Sequence, residues 1–231
     1  MENTRPVQEI LQEANIRLSV LNLDYEQVNK QLIRAKIDLE NLTRELREKN
    51  EVLKQMADMD GLTGVYNNRF FQQALDKEMS RAIRQGEPMA LVLADIDHFK
   101  RFNDDHGHLV GDFVIAEFCR VLTAHIREYD TLARYGGEEF VIVLPQTTRE
   151  QAIIVAEKLR RAVEKAAFID KGESYSVTAS FGVAALVGTD EVIPANQELI
   201  KMADEALYDA KGKGRNRVAA YGSKKKWFTR K

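Results

Sequence analysis

Residues 7 to 57 contain neither glycine nor proline. Their apolar side chains return every three or four positions, through Leu11, Ala14, Leu18, Leu21, Tyr25, Val28, Leu32, Ala35, Leu39, Leu42, Leu46, Leu53 and Met56, and only Lys49 breaks the seam. Steps of three and four average 3.5 residues, the period of a left-handed coiled coil. The alternative is a single amphipathic helix packed on a globular core, but nothing downstream is built to cover so long a stripe, which favours another helix as its cover. We expect a parallel dimer, with Pro6 in the first turn of the helix. A second apolar set, Ile16, Val20, Leu23, Ile33 and Ile37, lies off the seam and leaves a higher oligomer or a further packing partner open.

The chain has 231 residues, 44% of them hydrophobic and 30% charged, which suits a globular domain behind such a stalk. A formal net charge of -2 supplies no global basic field, so nucleic acid is not an expected partner. The single cysteine, Cys119, excludes an internal disulfide framework and suits a reducing compartment. Apolar runs such as Met89 to Ala94 are too short to span a bilayer, and Met1 to Pro6 lacks the apolar core of a signal peptide. A cytoplasmic location with no membrane segment is therefore expected.

Asp60-Gly61-Leu62-Thr63-Gly64 places two glycines in five residues and ends the stalk. We expect three regions: a coiled-coil helix at 1–57, a catalytic domain at 58–222, and a basic tail at 223–231. Beyond the glycines the patterning predicts a helix at 68–84, a buried strand at 89–96 and, after a polar stretch, a helix at about 111–127. A hairpin at 132–144 turning on Gly136-Gly137, a helix at 149–166 and a strand at 175–187 with a possible bulge at Gly182 follow. A helix at 194–211 and a short strand at 218–221 complete the order. The fold class is α+β, a mixed and largely antiparallel central sheet flanked by helices.

Two acidic clusters fall at strand ends. Asp95-Ile96-Asp97 closes the first buried strand, and Glu138-Glu139 follows the glycine pair. Carboxylates so placed can share hard divalent cations, which prefer oxygen ligands. Two such cations would clamp the attacking and leaving oxygens of a phosphoryl displacement. Glycines at the tip let a nucleotide approach the backbone. Taken alone, the hairpin also reads as an ordinary turn carrying exposed acids.

Arg134-Tyr135-Gly136-Gly137-Glu138-Glu139-Phe140 resembles the signature of GGDEF-domain diguanylate cyclases, with Glu in the third place. Asp60-Gly61-Leu62-Thr63-Gly64 with Asn67 and Arg69, Asp95 to Lys100, Asn103 with Gly107-His108 and Gly111-Asp112, and Ala203 to Tyr208 leading to Lys211, Gly214, Arg215 and Asn216 resemble the family's other motifs, in order, over about residues 58–221. The resemblance implies a nucleotide-cyclase, palm-like domain that joins two GTP into cyclic di-GMP. It implies Asp95, the Ile96 carbonyl and Glu138 as ligands for two Mg²⁺, or Mn²⁺ in their place, with Asp97 outside that set. Glu138 or Glu139 is the expected proton acceptor, and the sequence does not separate them.

By the same resemblance Asn103 and Asp112 read guanine, with His108 lining the pocket and Phe99 and Leu109 packing under the base. Gly137 lies against the nucleotide, and Lys100, Lys211 and Arg215 hold the β- and γ-phosphates. A carboxylate accepts from guanine N1–H and the exocyclic amine while an amide donates to O6, a pattern adenine does not offer. Outside the family context, Asn103 is a plausible turn residue, Asp112 a helix N-cap, and the three cations a solvated basic face. Arg127-x-x-Asp130, with five residues between it and Gly136, matches the family's inhibitory product site, so cyclic di-GMP is an expected inhibitor as well as product. The rival readings are a non-catalytic receptor for GTP or cyclic di-GMP signalling through the stalk, a cyclase of relaxed purine choice, and an adaptor without chemistry.

Overall fold

The computed structural model describes residues 7–187 and 194–222, with the side chains of Gln8, of residues 50–56 and of Val187 left aside. Pro6, the seam side chains Leu53 and Met56, and the basic tail at 223–231 lie outside the described residues. The chain divides into two compact units between Ala57 and Asp58. The first is one helix, α1 (Val7–Asp58). Its seam stands in water in the single chain, Leu21 at 67% exposure and Leu32 at 66%. Continuous apolar surface of this kind marks an interaction face.

The second unit carries β1 (Tyr66–Asn67), α2 (Asn68–Gln85), β2 (Pro88–Ile96), α3 (Phe99–His106), α4 (His108–Thr123), β3 (Thr131–Gly136), β4 (Glu139–Pro145), α5 (Arg149–Lys165), β5 (Phe168–Asp170), β6 (Glu173–Tyr175), β7 (Ala179–Val187), α6 (Asn196–Gly212) and β8 (Val218–Ala220). Six strands form one sheet in the order β1-β3-β4-β2-β7-β8. The three inner pairings are antiparallel, and β1 with β3 and β7 with β8 are parallel, so the sheet is mixed.

Both faces of the sheet are covered, which is why β2 is a continuous apolar run rather than an alternating one. Ala90, Val92, Ala94 and Ile96 pack with α4 and α5 through Val114, Phe118, Leu122, Ala156 and Leu159. Met89, Leu91 and Leu93 pack with α2 and α6 through Phe71, Leu75, Leu199, Ala203 and Leu207. Asn67 caps α2 by accepting from the Phe70 N–H, and Thr148 with Gln151 forms a reciprocal capping box on α5. Cys119 is buried on α4, and that burial pushes its thiol up to about 12, so it is an apolar core group at neutral pH.

Four local expectations change. The polar stretch after β2 is helical: α3 precedes α4, and Gly107 divides them with φ 84°. Its sequence lacks an apolar period because only Phe99 is buried; Phe102 is held instead by rings, 5.8 Å from Tyr175 and 4.6 Å from His106. The strand expected from Tyr175 is two pieces, the end of the β5–β6 hairpin and β7. Gly182 is not a bulge, since β2 and β7 keep register from Pro88↔Val187 to Ile96↔Ala179. A Cβ there would instead overlap the Ala203 carbonyl oxygen and the Leu207 amide nitrogen of α6. The irregularity lies between Arg134 and Gly136, where Gly136 already pairs with Glu139. The hairpin therefore turns on Gly137 (φ 50°) and Glu138, one residue later than expected.

Candidate active site

β2 and β4 bring the acids together. Asp95 and Glu139 are cross-strand partners, and the Ile96 N–H faces the Glu138 carbonyl at 3.5 Å. Directly opposed residues project to the same face of a sheet, so the Asp95 and Glu139 side chains share one surface. The bulge adjoining Glu138 is a device that re-aims side chains beside active sites. Asp95 is 6% exposed. Burial pushes its carboxyl up to about 6; Lys211, whose Nζ lies 2.7 Å from Oδ2, works against that rise, while Glu138 and Glu139 add to it.

This donor set fits a hard divalent cation. It is made of carboxylate oxygens and is crowded with negative charge. Among the described residues no three His, Cys, Asp or Glu side chains are already gathered at one position.

Asp97 does different work. It is buried and accepts from Thr178 Oγ1 (2.7 Å), Ser180 Oγ (2.7 Å) and the Asn216 N–H (2.9 Å), which ties the end of β2 to the start of β7 and to the loop before β8. Three accepted hydrogen bonds commit most of its acceptor capacity to the fold.

On the far side of the acids, α3 and α4 carry the expected base readers. Asn103 Oδ1 is buried and, among the described residues, accepts no hydrogen bond. It lies against Gly111, where an added Cβ would overlap it and come within 2.9 Å of Asn103 Cγ and 3.2 Å of Phe99 Cζ. Gly111 is thus a close-approach residue that lets the Asn103 amide settle. Asp112 is exposed inside α4 and not its N-cap, a place taken by Gly107. Phe99 is buried beneath the site, His108 and Lys100 are exposed, and Leu109 projects into water at 87% exposure.

Arg134 joins the hairpin tip to the domain's opening turn. Its Nε donates to the Gly137 carbonyl (2.9 Å), and its Nη1 reaches both oxygens of Asp60 (3.2 and 3.3 Å). Asp60 also accepts from the Thr63 N–H and hydroxyl. Burial alone would raise this carboxyl, but the Thr63 hydrogen bonds and Arg134 outweigh it and hold the group below the ordinary range. No signal in the sequence links Arg134 to Asp60, because they are 74 residues apart.

Residues 57–217 match the family described as diguanylate cyclase, GGDEF domain. The chain belongs to this family. It is 42% identical over 165 residues to the diguanylate cyclase DgcP of Pseudomonas aeruginosa, an overlap of 71% of this chain and 24% of DgcP. Among solved structures it resembles the coiled coil and GGDEF domain of DgcB from Caulobacter crescentus in complex with c-di-GMP, with TM-score 0.73, 31% identity, and coverage of 82% of this chain and 98% of that one. It also resembles the diguanylate cyclase SiaD of Pseudomonas aeruginosa in complex with its activator SiaC, with TM-score 0.71, 34% identity, and coverage of 93% and 80%. The chain spans about a quarter to about half of the length of curated relatives it matches.

Within this GGDEF domain the Arg127-x-x-Asp130 pair sits just before β3. Asp130 Oδ2 accepts from the Arg127 N–H at 2.8 Å, and Oδ1 is buried without a hydrogen bond among the described residues. Burial raises the Asp130 carboxyl, opposed by the Arg127 backbone bond and charge. The Arg127 guanidinium is exposed, 5.6 Å over the Tyr129 ring. Arg215, in the loop between α6 and β8, has φ 60°. Among the described residues no helix of this chain is long and apolar enough to cross a membrane.

Proposed function

We propose that this GGDEF domain condenses two GTP into cyclic di-GMP and two pyrophosphates, one GTP held by each subunit of a homodimer. The observation that carries this is the meeting of Asp95 with Glu138 and Glu139 across the β2–β4 register in a chain of this family. Asp95, Glu138 and the Ile96 carbonyl would hold two Mg²⁺, or Mn²⁺; when bound, these cations lower the charge on the α-phosphate and ease deprotonation of the ribose 3′-hydroxyl.

The protein's own groups do the rest. Glu138 or Glu139 takes the 3′-hydroxyl proton as the 3′-oxygen bonds to the α-phosphorus of the other GTP. The bond to the β-phosphate breaks and pyrophosphate leaves with its electron pair. Asp112 and the Asn103 amide read the guanine edge, over Phe99 and beside His108. Gly137 leaves room for the nucleotide against the backbone. Lys100 and Arg215 hold the β- and γ-phosphates, and Lys211 can turn to them from Asp95.

Purified protein, freed of bound nucleotide and incubated with Mg²⁺ and either GTP or ATP, tests the reading by product mass. Cyclic di-GMP from GTP alone is expected. Nucleotide binding without turnover would make the chain a receptor, and a cyclic product from ATP would remove the guanine assignment. A single buried thiol supports a cytoplasmic site for the reaction.

Two phosphodiester bonds are made between two nucleotides, so two domains must face each other. A stalk paired along its exposed seam holds them at millimolar effective concentration. Replacing Leu39, Leu42 and Leu46 together by Asp should abolish dimers in analytical ultracentrifugation and reduce activity at micromolar protein in parallel. Full activity in a proven monomer counts against the pairing.

Product feedback is placed at Arg127 and Asp130. Arg can chelate the O6/N7 edge of guanine, as it does in base readout. Arg127→Ala is expected to raise the concentration of cyclic di-GMP needed for half inhibition by about tenfold or more, with initial rates unchanged. An unaltered inhibition curve would move the product site elsewhere.

A further inference from the structure

The loop that closes the domain is held in an unusual conformation. Gly214, Arg215 and Asn216 have φ of 111°, 60° and 45° in succession. Left-handed backbone at an arginine persists only where neighbours over-determine it. Here the determinants converge on Asn216. Its N–H donates to Asp97 Oδ2 (2.9 Å), its Oδ1 accepts from Arg160 Nη1 (2.7 Å), and its Nδ2 donates to Glu164 Oε1 (2.7 Å). Every hydrogen-bonding group of that side chain is thereby engaged.

Arg160 lies on α5, 56 residues from Asn216 and outside the motifs named above. Its side chain is only 12% exposed. The guanidinium grips Glu157 with both Nε (2.8 Å) and Nη2 (2.9 Å), and Nη1 also reaches Glu164 (2.9 Å). Glu157 is drawn down to about 2, first by the Arg160 hydrogen bond. The planar fork is thus fixed on α5 before it meets the loop, which a lysine could not reproduce. The other anchor of Asn216 is Asp97, two positions after Asp95. One network therefore connects α5, the closing loop and the acidic end of β2.

We infer that Arg160 is a positioning residue for triphosphate binding: acting through Asn216, it holds Arg215 in the left-handed conformation that sets its guanidinium against the β- and γ-phosphates. This rests on the assignment of Arg215 to those phosphates made above. The mechanism is indirect. Arg160 contributes no charge to the nucleotide, since Glu157 and Glu164 already neutralise it. What it contributes is the removal of loop freedom before the ligand arrives.

The test compares 3′-deoxy-GTP, which binds but lacks the attacking hydroxyl, with GMP, which lacks the β- and γ-phosphates. Both are titrated calorimetrically in Mg²⁺ into the full chain. Arg160→Met should weaken 3′-deoxy-GTP by about tenfold and leave GMP within about twofold. In an Arg215→Ala background the same substitution should cost less than about twofold further, because the loop then has nothing left to position. Arg160→Lys should recover only part of the loss. Should Arg160→Met fail to melt cooperatively, Asn216→Gly carries the test, since glycine tolerates φ 45° and lacks the Oδ1 acceptor; it should reproduce the triphosphate-selective loss.

Equal weakening of 3′-deoxy-GTP and GMP, or losses that add in the double variant, would overturn the positioning role and leave the phosphate assignment standing. Unchanged 3′-deoxy-GTP affinity in Arg215→Ala alone would overturn the phosphate assignment itself.

Discussion

Asp95→Asn is expected to lower cyclic di-GMP formation by about a thousandfold or more, roughly 4 kcal/mol of transition-state stabilisation, while the domain stays folded. The two effects separate because the carboxylate's charge is costly to the fold and needed by the chemistry. Asp95 is buried at the end of β2, and burial holds its carboxyl up at about 6 even with Lys211 at 2.7 Å. An amide of the same shape removes that desolvation penalty. Lys211 loses a partner but is 31% exposed and can turn to water, so stability should shift by only about 1 kcal/mol in either direction. A neutral amide, however, is a poor ligand for a hard divalent cation. Initial rates of product formation by mass, beside thermal melts, check both halves. Retention of more than a tenth of wild-type activity would remove Asp95 from the metal set.

Gly182→Ala should be the most damaging single-methyl addition in the domain. β7 is a central strand, and α6 crosses it so closely at Gly182 that a Cβ would overlap the Ala203 carbonyl oxygen and the Leu207 amide nitrogen. Both obstacles are backbone and cannot swing away as a side-chain tip would. The helix must lift off the sheet, and the contacts of Leu199, Ala203 and Leu207 with Leu91 and Leu93 loosen with it. Alanine in a strand interior gains about 0.5–1 kcal/mol over glycine, which does not offset an overpacking cost of about 3 kcal/mol. At about 2–4 °C per kcal/mol for a domain of this size, the remaining loss of about 2–2.5 kcal/mol should lower the melting temperature by roughly 4–10 °C. Since Lys211 rides on α6, affinity for GTP should fall as well. A melting temperature within about 2 °C of wild type would show that α6 can retreat without loss.

The places where reading the sequence succeeded and failed follow from the range of the interactions. α2 and α5 are amphipathic and capped, so their periods and ends are visible in a short window. α3 has no such period: Phe102 is secured by Tyr175, 73 positions away, and a polar stretch of eight residues gives no hint of it. Gly182 carried a real signal, since a glycine inside a strand marks either a bulge or a close approach, but only the position of α6 chooses between them. Asp95 and Asp97 are nearly identical in local sequence. One stands beside Glu139 and Lys211, and the other is consumed by Thr178, Ser180 and Asn216.

The sequence by itself determined the long helix of the stalk, through an apolar period sustained without glycine or proline from residue 7 to 57. It also carried the family of the domain, through motifs whose order and spacing resemble those of GGDEF domains. Tertiary structure alone decided which of these groups meet. The Asp97–Asn216 bond joins residues 119 positions apart, Arg134–Asp60 joins 74, and Arg160–Asn216 joins 56. Spacing along a chain reports only on neighbours within a turn or a pleat. Contacts at those separations exist only once the sheet has brought its strand ends together.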